Sequence, residues 1–301
     1  MTIDPEVRRF LDYFYKNFNI YQINDIKKFR DTMNDLLGKF MLKEPVYKIE
    51  DLKINSEGAE IPIRIYYPDN NKDHPIIMYF HGGAWILGSI ETEDPIARIL
   101  TNACNCIVVS VDYRLAPEYK FPTAVYDCFN ATVWSLNNKL GNGKIGVAGI
   151  SAGGNLAAAV SLLARDKGLK LASSALIVPF VYPDLASKSV MEYKKGYFLD
   201  INVPIDPAII AYIRDLNDLH NPLFAPLVAQ DLSGLPPTIV VTAEYDPLRD
   251  QGEAYASRLM ESGVQTLSIR INGHIHALLG SPRVARQVAV MVGTLLRDIM
   301  I

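Results

Sequence analysis

The chain has 301 residues, 49% of them hydrophobic, and a formal net charge of −3 at pH 7, so it can bury a large core; a charge so near neutral, with no block of basic residues, argues against nucleic-acid binding or an acidic tail. Cys104, Cys106 and Cys128 form no C-x-x-C pair and no even set, which predicts buried free thiols rather than a disulfide framework. Asp4, Glu6, Arg8 and Arg9 interrupt any signal-peptide core and no apolar run reaches about 18 residues, which predicts a soluble, cytoplasmic protein without stable membrane insertion.

Val7, Phe10, Leu11, Phe14 and Phe18 recur at helical spacing, and Ile26, Phe29, Met33, Leu36, Leu37 and Phe40 do so again; two amphipathic helices therefore precede any sheet. Short Ile/Val-rich strands follow at Ile61–Tyr67, Ile76–Phe80, Cys106–Asp112, Ile145–Gly149, Ser174–Pro179, Thr238–Ala243 and Thr266–Ile271, alternating with helical segments. That alternation predicts an α/β fold with a mostly parallel central sheet flanked by helices. Between Pro183 and Phe224 the rhythm breaks into Tyr-, Lys-, Asp- and Pro-rich sequence with one helix-like segment, Pro207–Leu216. The stretch is too long for an ordinary connection, and long insertions at the carboxyl edge of such sheets serve as lids. The expected organisation is residues 1–45 as N-terminal helices, 46–182 and 225–301 as two parts of one core, and 183–224 as an insertion between them. No internal repeat interrupts this order.

Within this frame Gly149-Ile150-Ser151-Ala152-Gly153 sits between the strand ending at Gly149 and a small-residue run, Asn155-Leu-Ala-Ala-Ala-Val. Small residues around a serine at a strand-to-helix turn form a nucleophile elbow, in which close packing and strained backbone lift the hydroxyl above the sheet. The pattern alone would arise by chance in about one such chain in ten. Upstream, His81-Gly82-Gly83-Ala84-Trp85 follows the strand Ile76–Phe80. A tetrahedral intermediate carries a negative oxygen that needs fixed N–H donors, and the amides of Gly83, Ala84 and Ala152 could supply three. Gly82 would shape the bend.

A serine also needs a base, and the base needs an orienting carboxylate. Of five histidines, His74 precedes a proline, His81 opens the glycine loop and His220 lies in a His-Asn-Pro turn. His274 and His276 remain, both in the loop between the strand Thr266–Ile271 and a last amphipathic helix, and spacing does not choose between them. Asp246, at the end of the strand Thr238–Ala243, is the best-placed carboxylate; Asp250 reads as a first-turn helix charge and Glu244 as a strand-end surface residue. Asp112, Arg114 and Glu118 read as charges that brace a loop, and Trp85 as a residue of the acyl pocket or of loop packing.

Taken together, His81-Gly-Gly-Ala-Trp, Asp112-Tyr-Arg-Leu-Ala-Pro-Glu118, Phe121-Pro, Gly149-Ile-Ser-Ala-Gly-Gly-Asn155, Tyr245-Asp-Pro-Leu-Arg-Asp250 and Gly273-His-Ile-His276 resemble the hormone-sensitive lipase family of α/β-hydrolases, a group of microbial carboxylesterases and lipases. The resemblance runs nearly end to end. It implies the α/β-hydrolase fold, a helical cap made from the N-terminal helices and the insertion, and hydrolysis of short-to-medium acyl esters by a Ser151–His276–Asp246 triad through an acyl-enzyme. It also selects His276 over His274, because the family's histidine follows a glycine by three positions, as His276 follows Gly273. No cofactor or metal is implied, the partner is a small ester, and a homodimer through the edge strand Thr266–Ile271 is expected. Three departures stand out: Ala84 replaces the usual fourth glycine of the oxyanion loop, Ile150 the usual acid before the serine, and Ala277-Leu278 the usual Gly-Phe after the histidine. The competing class is a binding protein on the same scaffold, such as the plant gibberellin receptors, which resemble the family but lack the histidine present here as His276. Among enzymes, an amidase or lactonase could use the same triad.

Overall fold

A computed structural model describes residues 2–18, 25–201 and 206–300. The link between the two N-terminal helices and four positions of the insertion lie outside the described residues. In chain order the elements are α1 (Pro5–Asn17), α2 (Ile26–Gly38), β1 (Lys48–Ser56), β2 (Ala59–Tyr67), β3 (Ile76–Phe80), α3 (Ile90–Cys104), β4 (Ile107–Val111), α4 (Thr123–Asn137), β5 (Ile145–Ile150), α5 (Ala152–Asp166), β6 (Ser173–Ile177), α6 (Lys188–Tyr193), α7 (Pro207–Tyr212), β7 (Thr238–Tyr245), α8 (Arg249–Glu261), β8 (Thr266–Ile275) and α9 (Pro282–Met300).

The strands form one sheet in the order β1-β2-β4-β3-β5-β6-β7-β8, in which β2 runs antiparallel to both its neighbours, β1 and β4, and all other neighbouring strands are parallel. Every residue of β3, β4, β5 and β6 is buried, as parallel strands covered on both faces must be. Side chains alternate across β3: Met78 and Phe80 pack with residues of α4, α5 and α8, while Ile77 and Tyr79 pack with α3 and α9. Each such fully buried side chain contributes about 1.5–3 kcal/mol, which makes this strand the anchor of both layers. From β3 the chain crosses to β4 on one side and then returns to β5 on the other, so the loops leaving β3 and β5 diverge. At such a switch point a crevice opens beyond the carboxyl ends of the strands.

The sequence reading begins the sheet at Ile61, whereas the structure adds β1. Its residues Lys48, Asp51, Leu52 and Lys53 are exposed, so no apolar alternation marks it, and such charged side chains guard a sheet edge. A two-residue turn at Glu57-Gly58, both at positive φ (50° and 83°), joins it to β2, a geometry suited to hairpin twist. The helix expected over Pro207–Leu216 ends at Tyr212: Ile213 is extended (φ −73°, ψ 155°), and Arg214 instead bonds Asp218 through its amide and guanidinium. The insertion also carries α6, whose six residues are too few for a periodic signal. No helix of the described residues is long and apolar enough to cross a membrane, and the three cysteines are free and buried.

Candidate active site

Ser151 stands between β5 and α5 with φ 57° and ψ −116°, a conformation costly for any non-glycine residue and held only where packing over-determines it. The packing comes from the flanking glycines. A Cβ on Gly149 would lie 2.2 Å from the Gly153 carbonyl oxygen, and one on Gly153 would lie 1.9 Å from the Phe80 oxygen. Neither glycine has a positive φ, so close approach of β3, β5 and α5 is what they supply, and the strain sits on the serine. The Ser151 amide is tied to the Ile177 carbonyl at 2.8 Å.

The loop after β3 turns through three successive positive φ values, Gly83 at 118°, Ala84 at 50° and Trp85 at 60°. Gly83 admits no side chain, because a Cβ would meet the Leu87 carbonyl oxygen at 2.1 Å. Ala84 keeps the left-handed backbone that glycine would adopt freely. Among the described residues no acceptor takes the amides of Gly83, Ala84 or Ala152, the last being an unpaired first-turn amide of α5. Tethers from outside hold this loop: the Tyr113 hydroxyl donates to the His81 carbonyl at 2.8 Å, the Gly82 amide donates to Glu93 at 2.7 Å, the Gly88 amide donates to Asn34 at 3.0 Å, and Arg30 of α2 donates to the Ile86 and Ala116 carbonyls.

His276 Nε2 lies 2.8 Å from Ser151 Oγ, and its Nδ1 lies 2.8 Å from Asp246 Oδ2. Asp246 is fully buried and its other oxygen accepts the Leu248 amide at 2.8 Å, which fixes the carboxylate plane. The three side chains come from three separate strand ends. The competing residues lie elsewhere: His274 Nδ1 faces the Asn272 carbonyl at 2.9 Å, and Asp250, in the first turn of α8, accepts the Ser189 amide at 2.8 Å. Glu244 is half-buried rather than a surface residue, and it accepts the Gly273 amide at 2.7 Å, pinning the start of the histidine loop. The same loop is braced by α1, whose Val7 and Leu11 pack with Ile275 and Leu279 and whose cap residue Asp4 donates its amide to the Gly273 carbonyl at 2.9 Å. Ala277, where the family commonly has glycine, again takes a left-handed φ of 57°.

Two cavities meet at Ser151 and Ala84. The larger, about 630 Å³, is lined by Phe14, Phe29, Met33, Ile150, Phe198 and His276 among others; the smaller, about 240 Å³, by Trp85, Ala152, Phe180, Tyr182, Ile209 and Leu219 among others. Trp85 lines the smaller cavity and packs within its loop region, stacked on Tyr212 with ring centroids 4.6 Å apart. Phe14, on the aromatic stripe of α1, faces the larger cavity. Asp112, Arg114 and Glu118 brace loops as expected: Arg114 pairs with buried Asp127 at 2.7 Å, Glu118 with Arg30 at 2.6 Å, and Asp112 accepts the Ile90 amide at 3.3 Å. Sequence reasoning missed Glu93, Arg30 and Asn34. Only the S-x-x-T capping box at Ser89 and Thr92 could have flagged that Glu93 opens a helix directly beneath the glycine loop. Among the described residues no three His, Cys, Asp or Glu side chains gather as a metal site would require.

A crevice at a strand-order reversal, an elbow serine and a histidine–carboxylate pair beside it define the α/β-hydrolase class. The family model described as alpha/beta hydrolase fold matches residues 77–280. The arylesterase of Saccharolobus solfataricus is 63% identical over 99% of both chains, and carboxylesterase NlhH of Mycobacterium tuberculosis is 36% identical over 94% of this chain and 92% of its own. Among solved structures, an arylesterase superposes with a TM-score of 0.96 at 63% identity, covering 99% of this chain and 100% of that one. A hyperthermophilic esterase from Pyrobaculum calidifontis superposes with a TM-score of 0.90 at 36% identity, covering 99% of each chain. The chain belongs to the α/β-hydrolase family, in its hormone-sensitive lipase group of carboxylic ester hydrolases.

Proposed function

We propose that this enzyme hydrolyses short-to-medium acyl esters, aryl esters among them, through a Ser151–His276–Asp246 triad and an acyl-enzyme. The observation that carries the reading is the unbroken line of two 2.8 Å hydrogen bonds from Ser151 Oγ through His276 to Asp246. Neutral His276 takes the hydroxyl proton as Ser151 Oγ attacks the ester carbonyl, and the amides of Gly83, Ala84 and Ala152 receive the developing oxyanion. The imidazolium then protonates the departing alcohol, and water, deprotonated by the same ring, releases the acid. Asp246 holds the tautomer and stabilises the transient imidazolium.

The alcohol oxygen must receive its proton from His276, which lines the larger cavity, so that chamber takes the alcohol and the smaller one the acyl chain. A largely apolar alcohol chamber of about 630 Å³ suits an aromatic alcohol, which agrees with the arylesterase activity named for the 63% identical relative. Residues 1–45 and 183–224 act as a cap in this reading: Phe14 and Phe198 meet at 5.1 Å, Tyr15 donates to Asp200 at 3.0 Å, and both segments line the larger cavity. A homodimer through β8, at the sheet edge, belongs to the same reading, and light scattering giving the mass of one chain would remove it. The principal test is a p-nitrophenyl ester series from acetyl to palmitoyl with wild type beside Ser151→Ala. A short-chain optimum lost in the variant is expected; equal turnover by both proteins would overturn the triad.

A further inference from the structure

The acid Glu93, in the first turn of α3, sits beneath the oxyanion loop and lines the larger cavity together with Ser151 and His276. One carboxylate oxygen accepts the Gly82 amide at 2.7 Å and the other accepts the Tyr79 hydroxyl from β3. A Cβ on Gly82 would come 3.1 Å from this carboxylate and 3.0 Å from Ile150 Cγ2, so the acid is wedged between the loop backbone and an apolar wall where the family commonly has a second carboxylate. The groups that face it are hydroxyls. Tyr79 bonds it, Tyr113 senses its charge, and Tyr66 of β2 lies next to Tyr79 but donates to Asp94. The nearby cations Arg64, Arg98 and Lys43 are taken up by Asp51, Glu91 and Asp94. Among the described residues no cation pairs with Glu93.

Resting on the serine-esterase reading above, we propose that ionised Glu93 is the positioning residue of the oxyanion hole: its charge-assisted bond to the Gly82 amide orients the next two peptides, whose N–H groups at Gly83 and Ala84 face the oxyanion, and its protonation slackens them. A hydrogen bond to a carboxylate is about twice as strong as one to a neutral acceptor, and donors misaimed at a developing charge lose much of their effect. Burial pushes the Glu93 carboxyl up to about 7, against the bonds from Tyr79 and Gly82, which favour the anion. The anchor is therefore made above that pH and lost as pH falls through it.

The test compares wild type, Glu93→Gln, Tyr79→Phe and Ser151→Ala on p-nitrophenyl acetate from about pH 5.5 to about pH 9. Gln retains an acceptor but never the charge, so the ratio of wild-type to Glu93→Gln kcat is expected to be about tenfold at high pH and to fall to about one at low pH, with KM little changed. Tyr79→Phe removes a bond that favours the anion, so its activity should decline at higher pH than that of wild type while its activity at the alkaline end is kept. A ratio that stays flat with pH, or a loss confined to KM or to thermal stability, would overturn the proposal. Full activity in Ser151→Ala would instead overturn the reading on which it rests; an inactive Ser151→Ala with a flat ratio removes Glu93 alone.

Discussion

The elbow at Ser151 and the loop at Gly82–Trp85 line the same cavity but are held by different physics. The elbow is fixed from within, by backbone surfaces so close that Gly149 and Gly153 have no room for a Cβ. Its glycines are demanded by contact, and no charge takes part. The glycine loop has one such glycine, Gly83, and otherwise depends on side chains reaching in: Glu93 from α3, Tyr113 after β4, and Arg30 and Asn34 from α2. The position of Ser151 is therefore set by excluded volume, whereas the amides of the glycine loop are set by hydrogen bonds that pH and distant substitutions can alter.

Removing the chemistry should have the largest effect. Ser151→Ala and His276→Ala are expected to lower kcat by roughly four to six powers of ten with the fold intact, and His274→Ala to leave it nearly unchanged; steady-state kinetics with circular dichroism check this, and the reverse order for the two histidines would reassign the base. Next, Gly153→Ala should cost more than about 4 kcal/mol, far more than Gly82→Ala, whose Cβ would meet its nearest atoms only at 3.0 Å. Equal thermal shifts for the two variants would erase the distinction between the loops. Arg30→Ala removes the bonds to Ile86 and Ala116 and the 2.6 Å ion pair with Glu118; kcat should fall by about tenfold while KM changes little. A loss in KM alone would mean that α2 shapes the pocket without holding the loop. The smallest effect is expected at Ala84 and Ala277. Glycine at either would relieve about 1 kcal/mol of left-handed strain but add unfolded-state entropy of similar size, so calorimetry should find a net change below about 1 kcal/mol.

Those two alanines show how far family likeness carries in the sequence. Each stands where the family commonly has glycine, and each keeps the glycine-like φ, 50° and 57°, so the surrounding contacts impose the turn on a residue that does not prefer it. The strands Ile76–Phe80, Cys106–Asp112, Ile145–Gly149, Ser174–Pro179 and Thr238–Ala243 were legible because buried parallel strands are short apolar runs, and Ile61–Tyr67 and β8 because their apolar residues alternate. β1 was not legible, because an edge strand with exposed charges has no apolar pattern to read. Asp246 could be chosen over Asp250 from its place at a strand end, but His276 over His274 could be chosen only through the resemblance, since two residues apart on one loop differ in direction and not in composition.

Composition, strand–helix alternation and two glycine-containing motifs thus determined the fold class and pointed to the candidate serine, carboxylate and loop amides, because each is a local demand written in neighbouring residues. Tertiary structure alone decided which partners support them. Glu93 is 11 residues from Gly82, Arg30 is 88 from Glu118, and Asp4 reaches Gly273 across nearly the whole chain. Such pairs are made by the crossing of helices over a sheet, and a linear pattern carries no measure of that distance.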